Sequence, residues 1–174
     1  ILGDPYVVVR GEDRQLRAFY NVCRHHAARI ANGSGTLESL VCPYHGWTYD
    51  LAGKLKSAPH IGAIRCFDRE DFGLVPVRVE EWGPFVFVAL GDGSRALATD
   101  LAPLEPKLER MKCRDLRFVT RREYTLRCNW KVFVDNYLDG GYHVAHLHKG
   151  LAGQLDLGSY RTELFDRFSI QSCA

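Results

Sequence analysis

The sequence has 174 residues, 46% of them hydrophobic and 25% charged. This is the composition of a globular protein that can bury one hydrophobic core, or about one and a half. Its formal net charge of +2 gives no support to binding of nucleic acid or of an anionic membrane. No apolar run approaches the roughly twenty residues of a membrane-spanning helix, and no signal segment is recognisable, so we expect a soluble, cytoplasmic protein.

The first part of the chain has the pattern of short β-strands separated by turns. Tyr6–Arg10 and residues 16–21 are β-rich runs on either side of a polar turn, and they predict a hairpin. Further candidate strands are residues 40–42, 47–50, 74–80 and 85–90. Short strands with Gly and Pro about every ten residues predict a small antiparallel β domain that ends near residue 90.

Two short arms in this part each supply one cysteine and one histidine. Cys23 and His25 stand two positions apart in the first arm, and Cys42 and His45 stand three positions apart in the second. Two loops that meet tip to tip with these donors can hold a two-metal cluster, and this is the ligand set of a Rieske [2Fe–2S] centre. The alternative is a structural zinc site, which usually carries a cysteine pair followed by a histidine pair.

The neighbours of the second arm suit a buried cluster. Pro43 stiffens the arm, and Gly46 lets the backbone turn tightly after His45. Trp47 and Tyr44 are expected to shield the site from water, and burial and hydrogen bonds to sulfur tune the potential of such a cluster.

The second part of the chain changes in character. Residues 91–100 are small and polar and predict a linker, while residues 103–111 predict a short helix with Pro near its start. Residues 116–127 alternate as a strand would. From residue 130 onward apolar residues recur at helical spacing until they are interrupted by two glycines at 140–141.

Histidines and carboxylates gather within and after this helical stretch. Asp135 and Asp139 precede a histidine pair, His143 and His148. Two histidines and a carboxylate can bind Fe(II) and leave positions open for O₂ and substrate. Five residues correspond to roughly 140° around an ideal helix, so His143 and His148 reach one iron only if the helix distorts or ends between them. His146 is nearer to His143 on a regular helix, and the residues alone leave this choice open.

Both motifs resemble those of the Rieske non-haem iron oxygenases, the ring-hydroxylating family, in their catalytic α subunit. The first motif matches as Asn-Val-Cys-Arg-His at residues 21–25 and Cys-Pro-Tyr-His-Gly-Trp-Thr-Tyr at residues 42–49. The second matches as Asn-Trp-Lys at residues 129–131, Asp-Asn at 135–136, Tyr-His at 142–143 and a histidine at 148. Residues 135–144 look especially like the choline monooxygenase branch. One departure is His26, since members of the family often have Arg directly after the first histidine ligand.

The resemblance implies an α+β protein with two metal centres. Residues 1–90 would be a small antiparallel-β Rieske domain and 91–115 a linker with a short helix. Residues 116–174 would be the first part of an α+β catalytic domain, in which helices pack on an antiparallel sheet. The chain starts within strand-like sequence and stops without a terminating element, so we expect it to be a fragment.

Site residues also follow from the resemblance. The implied cluster ligands are Cys23, His25, Cys42 and His45, and the implied ligands of a mononuclear Fe(II) are His143 and His148. The family's third iron ligand is a carboxylate far downstream of the second histidine, beyond Ala174, and His146 falls at a position that the family does not use.

A carboxylate that links the two centres is expected as well. The family commonly has an acidic residue three positions before the first iron histidine, and Gly140 stands there in this chain. We therefore predict Asp139 as the bridging residue, with Asp135 as the alternative and Asn136 as a further catalytic candidate.

The implied activity is hydroxylation of an organic substrate with O₂ and electrons that come from NAD(P)H through a ferredoxin or flavin reductase. The substrate would be a quaternary ammonium compound such as choline, a betaine or carnitine, or an aromatic compound. A homotrimer is expected, with or without a β subunit. The alternative function is a Rieske ferredoxin-like electron carrier without oxygenase activity.

Overall fold

The computed structural model describes residues 3–62, 64–91 and 95–174. The chain divides into two compact units, Ile1–Leu116 and Arg117–Ala174. Within the described ranges, no helix has both the length and the apolar character needed to cross a membrane.

The first unit is built from short antiparallel strands. Those among its described residues are β1 (Tyr6–Arg10), β2 (Leu16–Tyr20), β3 (Leu40–Val41), β4 (Thr48–Tyr49), β5 (Leu55–Ser57), β6 (Pro76–Trp82) and β7 (Phe85–Ala89). One sheet has the order β1-β2-β6-β7, and β3, β4 and β5 form a second sheet. The predicted first hairpin is confirmed, with Tyr6 opposite Tyr20 and Arg10 opposite Leu16.

The hydrophobic core of the first unit includes both arm cysteines. Cys23 and Cys42 are buried together with the large side chains of Trp47 and Tyr49, in a cluster completed by Phe19, Ile30, Leu40, Leu55 and Leu74. Because burial of apolar side chains is the main stabilising contribution to folding, the same packing that stabilises this unit also fixes the bases of the two arms.

The turn between β4 and β5 shows why this part of the fold needs a glycine. Gly53 has a φ of +83°, and a Cβ atom added there would lie 2.5 Å from Cε1 of Phe19. The Asp50 side chain accepts hydrogen bonds from the backbone N–H groups of Ala52 at 3.0 Å and Lys54 at 2.9 Å. The turn that the sequence predicts here is therefore stabilised by the Asp50 side chain and packs closely against Phe19.

Part of the segment predicted as a linker is helical and belongs to the first unit. Helix α1 (Leu97–Leu101) begins where the Glu80 carboxylate of β6 accepts a hydrogen bond from the Leu97 N–H at 2.9 Å. A 3-10 turn follows, and then comes helix α2 (Glu105–Arg110). The short helix predicted at residues 103–111 thus exists, although α1 precedes it.

The second unit contains three short helices and a hairpin among its described residues. These are α3 (Trp130–Leu138), α4 (Tyr142–Leu147), α5 (Lys149–Ala152), β8 (Arg161–Leu164) and β9 (Ser169–Ser172). Asn129 caps α3, since its side chain accepts a hydrogen bond from the Lys131 N–H at 3.0 Å. The interruption between α3 and α4 falls at the two glycines, as the sequence predicts.

The prediction of a strand at residues 116–127 is wrong. The segment has no regular secondary structure, and Phe118 and Tyr124 are 85% and 78% exposed. An alternating pattern forms a strand only when a neighbour satisfies its backbone hydrogen bonds. Within the described part of the chain no strand pairs with this segment.

Candidate metal centres

The first arm is a tight loop closed by its own backbone. The Cys23 N–H donates to the carbonyl oxygen of Ala28 at 2.8 Å, and the Ala27 N–H donates to that of Cys23 at 3.0 Å. Ala27 takes a left-handed conformation, with a φ of +54°. The loop therefore has a buried cysteine at its base and His25 near its tip.

The second arm repeats this pattern. The Cys42 N–H donates to the carbonyl oxygen of Trp47 at 2.8 Å, and the Gly46 N–H donates to that of Cys42 at 3.0 Å. Gly46 has a φ of +71° and occupies the position that corresponds to Ala27. The two arms thus present Cys and His from matching backbone turns, although only the second has a glycine at the left-handed position.

This difference predicts opposite effects for two substitutions. Gly46→Ala should lower the free energy of unfolding by about 1 kcal/mol, since a Cβ atom is strained at a left-handed φ. Steric crowding adds little, because that Cβ would lie 3.7 Å from Pro59 Cγ. Ala27→Gly should be neutral or stabilising. Denaturant unfolding of the cluster-loaded variants measures both, and equal losses would contradict the interpretation.

The donors divide into an inner and an outer pair. Cys23 and Cys42 are 3% and 2% exposed, whereas the imidazoles of His25 and His45 are exposed with ring centroids 4.8 Å apart. The thiols are unpaired with each other. This order, sulfur inside and imidazole outside, fits a [2Fe–2S] cluster with one thiolate-bound and one imidazole-bound iron.

A single zinc ion fits the arms less well. The ligand atoms of a tetrahedral zinc site lie within about 4 Å of one another. Among the described residues, the one close group of potential ligands consists of His25, His26 and His45, whose ligand atoms lie within 4.8 Å, and it includes neither thiol. The two thiols therefore lie outside the close group of imidazoles, which does not suit one tetrahedral ion bound by all four donors.

Aromatic rings cover the two imidazoles on different sides. His25 stacks on the buried Trp47 with centroids 4.7 Å apart, and His45 stacks on Tyr44 at 3.9 Å. Tyr44 is 63% exposed, so Trp47 shields the inner side as expected while Tyr44 faces outward. Partial desolvation, and then the neighbouring His26 and His45, lower the pKa of His25. A lowered pKa favours the neutral imidazole that binds a metal.

Tyr49 contacts Cys23, a candidate cluster ligand, directly. Its hydroxyl lies 3.3 Å from Sγ of Cys23 and accepts a hydrogen bond from the Arg24 N–H at 3.1 Å. Burial raises the pKa of Tyr49, so the phenol keeps its proton. The hydroxyl oxygen accepts from the Arg24 N–H, so the hydroxyl can donate its own proton to a Cys23 thiolate.

Removal of this hydrogen bond should lower the reduction potential of the cluster. A donor to sulfur stabilises the more negative, reduced state, so Tyr49→Phe is expected to shift the potential by about −50 mV, the equivalent of one modest hydrogen bond in a one-electron couple. Redox titration followed by EPR measures the shift, with Tyr20→Phe as the matched control. A potential equal to that of the control would contradict a role of Tyr49 in tuning.

Asn21 is a supporting residue that sequence analysis did not identify beyond its place in the motif. It is 5% exposed, and its Oδ1 accepts from the N–H groups of Ile30 at 3.1 Å and Ala31 at 2.9 Å. Its Nδ2 donates to the carbonyl oxygen of Ala31 at 2.7 Å. Asn21 thus joins the two ends of the first arm, and no local sequence pattern reveals a bond across nine residues.

In the second unit, helix α4 ends between the two histidines that the sequence suggests as iron ligands. His143 lies in α4, whereas His148 follows the last residue of that helix and has a φ of −104° and a ψ of 58°. The two ring centroids are 5.5 Å apart. His146 instead packs its ring against Tyr142, with centroids 4.7 Å apart. Of the two pairs that the sequence leaves open, the structure brings His143 and His148 together at one cavity.

Asp139 lies beside the first of these histidines. Its Oδ2 is 3.6 Å from Nδ1 of His143, which is buried and has no hydrogen-bond partner among the described residues. Gly140, with a φ of +79°, turns the chain between them. Asp135 is exposed on α3, one helical turn earlier.

A cavity of about 350 Å³ joins the candidate iron ligands. It is lined by His143, His148, Asn136, Phe133, Tyr137, Gly140, Val144, Leu151, Tyr160, Gln171, Ser172 and Cys173. The imidazoles of His143 and His148 at a single cavity fit two of the three ligands of a 2-His-1-carboxylate iron site. No described carboxylate completes a three-ligand group with this pair.

Two protein families match separate parts of the chain. Residues 1–68 match the family described as Rieske [2Fe-2S] domain. Residues 113–171 match the family described as ring hydroxylating alpha subunit, catalytic domain. The first match contains the two arms, and the second contains the histidine pair.

Individual proteins are similar over nearly the whole chain. A chloroplastic choline monooxygenase of Arabidopsis thaliana is 45% identical over 184 residues, covering 99% of this chain and 44% of that protein. The solved structure of a quaternary ammonium Rieske monooxygenase, reported with insights into carnitine oxidation by gut microbiota and inter-subunit electron transfer, is 33% identical with a TM-score of 0.90, covering 98% of this chain and 47% of that one.

A more distant solved structure is a naphthalene 1,2-dioxygenase with indole bound in its active site. It is 30% identical with a TM-score of 0.70, over 80% of this chain and 33% of that one. The chain spans less than half the length of each of these three proteins.

Proposed function

Because the chain belongs to the Rieske non-haem iron oxygenases, we propose that the protein hydroxylates an organic substrate with O₂ and electrons delivered by a reductase. The observation that carries the proposal is the presence of two separate ligand sets, one in each unit. The buried thiols and exposed imidazoles of the first unit suit the cluster, and His143 and His148 suit the mononuclear iron.

The second ligand set favours an oxygenase over an electron carrier. A Rieske ferredoxin needs only the cluster, so the paired histidines at a cavity and the catalytic-domain match at residues 113–171 would have no role in it. We keep a cytoplasmic location as a prediction, although the Arabidopsis relative is chloroplastic.

Each ligand residue has a distinct task in this chemistry. When bound, the cluster supplies single electrons and the mononuclear iron supplies O₂ activation. Cys23 and Cys42 anchor the cluster in the core, and His25 and His45 hold its exposed edge, where an electron donor or acceptor can approach. Tyr49 sets the electron density on the Cys23 sulfur through its hydroxyl.

Asp139 is proposed to orient His143 and to connect the two centres. An imidazole that donates its Nδ1–H to a carboxylate keeps Nε2 free for a metal. The distance of 3.6 Å closes to a hydrogen bond with a small rotation of the exposed carboxylate. Since one structural relative is described with inter-subunit electron transfer, we propose that Asp139 meets the cluster edge of a second subunit in a homotrimer, with or without a β subunit.

The substrate is proposed to be a quaternary ammonium compound. The relatives that cover nearly all of the chain act on choline or carnitine, according to their names. The cavity suits such a cation, because its described lining includes Phe133, Tyr137 and Tyr160 and contains no Lys or Arg. Aromatic faces attract a trimethylammonium group, and a basic side chain would repel it.

Turnover assays on the full-length protein test the function. With NAD(P)H and a ferredoxin or flavin reductase, we expect O₂-dependent hydroxylation of choline, glycine betaine or carnitine and none of naphthalene or indole. Products from the aromatic compounds alone would mean that the substrate is an aromatic compound and not a quaternary ammonium compound. Reduction of the cluster without any product, on protein that contains all its iron, would point to an electron carrier.

The role of Asp139 makes a separate prediction. Asp139→Asn should slow electron transfer from the cluster to the iron site by roughly 10- to 100-fold while iron and sulfide stay bound, as expected for loss of a carboxylate that orients a ligand. Asp135→Asn is the matched control. Stopped-flow re-oxidation of the reduced cluster measures the rate, and a larger effect from Asp135→Asn would assign the bridge to that residue instead.

A further inference from the structure

The corner between α3 and α4 has little stiffness of its own. Asp139 and His143 are separated by Gly140 and Gly141, which have no side chains and can populate many backbone conformations. A short contact between a carboxylate and an imidazole across such a segment requires restraint from elsewhere in the fold, because a disordered corner would open the 3.6 Å distance.

The hairpin β8-β9 supplies one restraint from the end of α3. Gln171 of β9 donates its Nε2–H to the carbonyl oxygen of Leu138 at 2.9 Å. Leu138 is the last residue of α3, and carbonyl groups in the last turn have no partner within the helix. Gln171 therefore fixes the residue directly before Asp139.

The second restraint lies on the glycines themselves. The ring of Tyr160 packs against them so closely that a Cβ atom on Gly141 would lie 3.1 Å from Cδ2 of Tyr160, and one on Gly140 would lie 3.9 Å from Cε1. Tyr160 and Gln171 also line the same cavity as His143 and His148. One hairpin and the turn before it thus contact the corner on both sides of Asp139.

We propose that Gln171 and Tyr160 are positioning residues, which hold the α3-α4 corner so that the Asp139 carboxylate stays beside Nδ1 of His143. The inference rests on the proposed function, in which this pair connects the cluster of one subunit with the iron site of the next. Both residues also line the cavity, but this role depends on their contacts with the corner and not on contact with substrate or iron. In the step they support, the reduced cluster loses one electron and the iron site with O₂ gains it.

Gln171→Met tests the proposal, because it removes the donor and keeps the length of the side chain. In the full-length protein we expect backbone amides of residues 139–143 to exchange with deuterium about tenfold faster, and the reduced cluster to be re-oxidised about tenfold more slowly under O₂ and carnitine. Iron and sulfide contents should not change. The control is Gln154→Met, an exposed glutamine of the same unit.

The proposal would be overturned if either the amide exchange rate or the re-oxidation rate of Gln171→Met equalled that of Gln154→Met. If Gln171→Met loses iron or folds poorly, Gln171→Lys decides, since lysine restores a donor within reach of the Leu138 carbonyl. This variant is measured without carnitine, because its charge would repel the substrate at the cavity that Gln171 lines. Recovery of iron and of slow amide exchange supports positioning, and no recovery overturns it. If the protein without substitutions contains no mononuclear iron, the proposed function fails. That result differs from a Gln171→Met protein that behaves like Gln154→Met, which overturns only the positioning role.

Discussion

His143→Ala is expected to remove one iron from each chain and to abolish hydroxylation while the Rieske cluster remains. Alanine takes away one of the two imidazoles that meet at the cavity, and two remaining ligands at most are too few to hold Fe(II) firmly. The four proposed cluster ligands all lie in the other unit, so about two irons and two sulfides should stay bound. Iron and acid-labile sulfide analysis with EPR of the reduced protein measures both.

The matched control for this experiment is His146→Ala. His146 is an exposed imidazole on the same helix and packs on Tyr142 rather than facing His148. It should keep all the iron and near-normal activity. Loss of iron from His146→Ala, with His143→Ala unaffected, would mean that the other histidine pair binds the metal.

Cys42→Ser is expected to abolish the cluster altogether. Cys42 is 2% exposed, belongs to the core and supplies one of two thiolates, and a serine hydroxyl is a much poorer ligand for iron at this position. The variant should lose the characteristic EPR signal and about two irons and two sulfides per chain, and turnover should stop because no electron reaches the iron site.

Cys113→Ser is the control for that substitution, because Cys113 is also a buried free thiol of the first unit. It should keep the cluster and lose at most some stability. A Cys42→Ser protein that retains sulfide and the EPR signal would contradict the ligand assignment, whatever its activity.

The features that could be predicted from sequence are those set by local pattern. The hairpin of β1 and β2 follows from alternating side chains, and the arms follow from the spacing of Cys23, His25, Cys42 and His45. Helical geometry also indicated that His143 and His148 can reach one iron only if the helix distorts or ends between them, and α4 does end at Leu147.

The features that sequence analysis missed depend on contacts between distant residues. Tyr49 and Cys23 are 26 positions apart, and Gln171 and Leu138 are 33 positions apart. Nothing in the local pattern around Gln171 distinguishes it from a solvent-exposed strand residue. The strand predicted at residues 116–127 failed for a related reason, because pairing depends on a neighbour that the pattern does not specify.

The most direct test of the two-centre account is the metal content of the full-length protein: iron, zinc and acid-labile sulfide per chain, with an EPR spectrum after reduction. About three irons and two sulfides with a Rieske signal are predicted, from one cluster and one mononuclear site. Zinc without sulfide would contradict both centres, and two irons that are unaffected by His143→Ala would leave only the cluster.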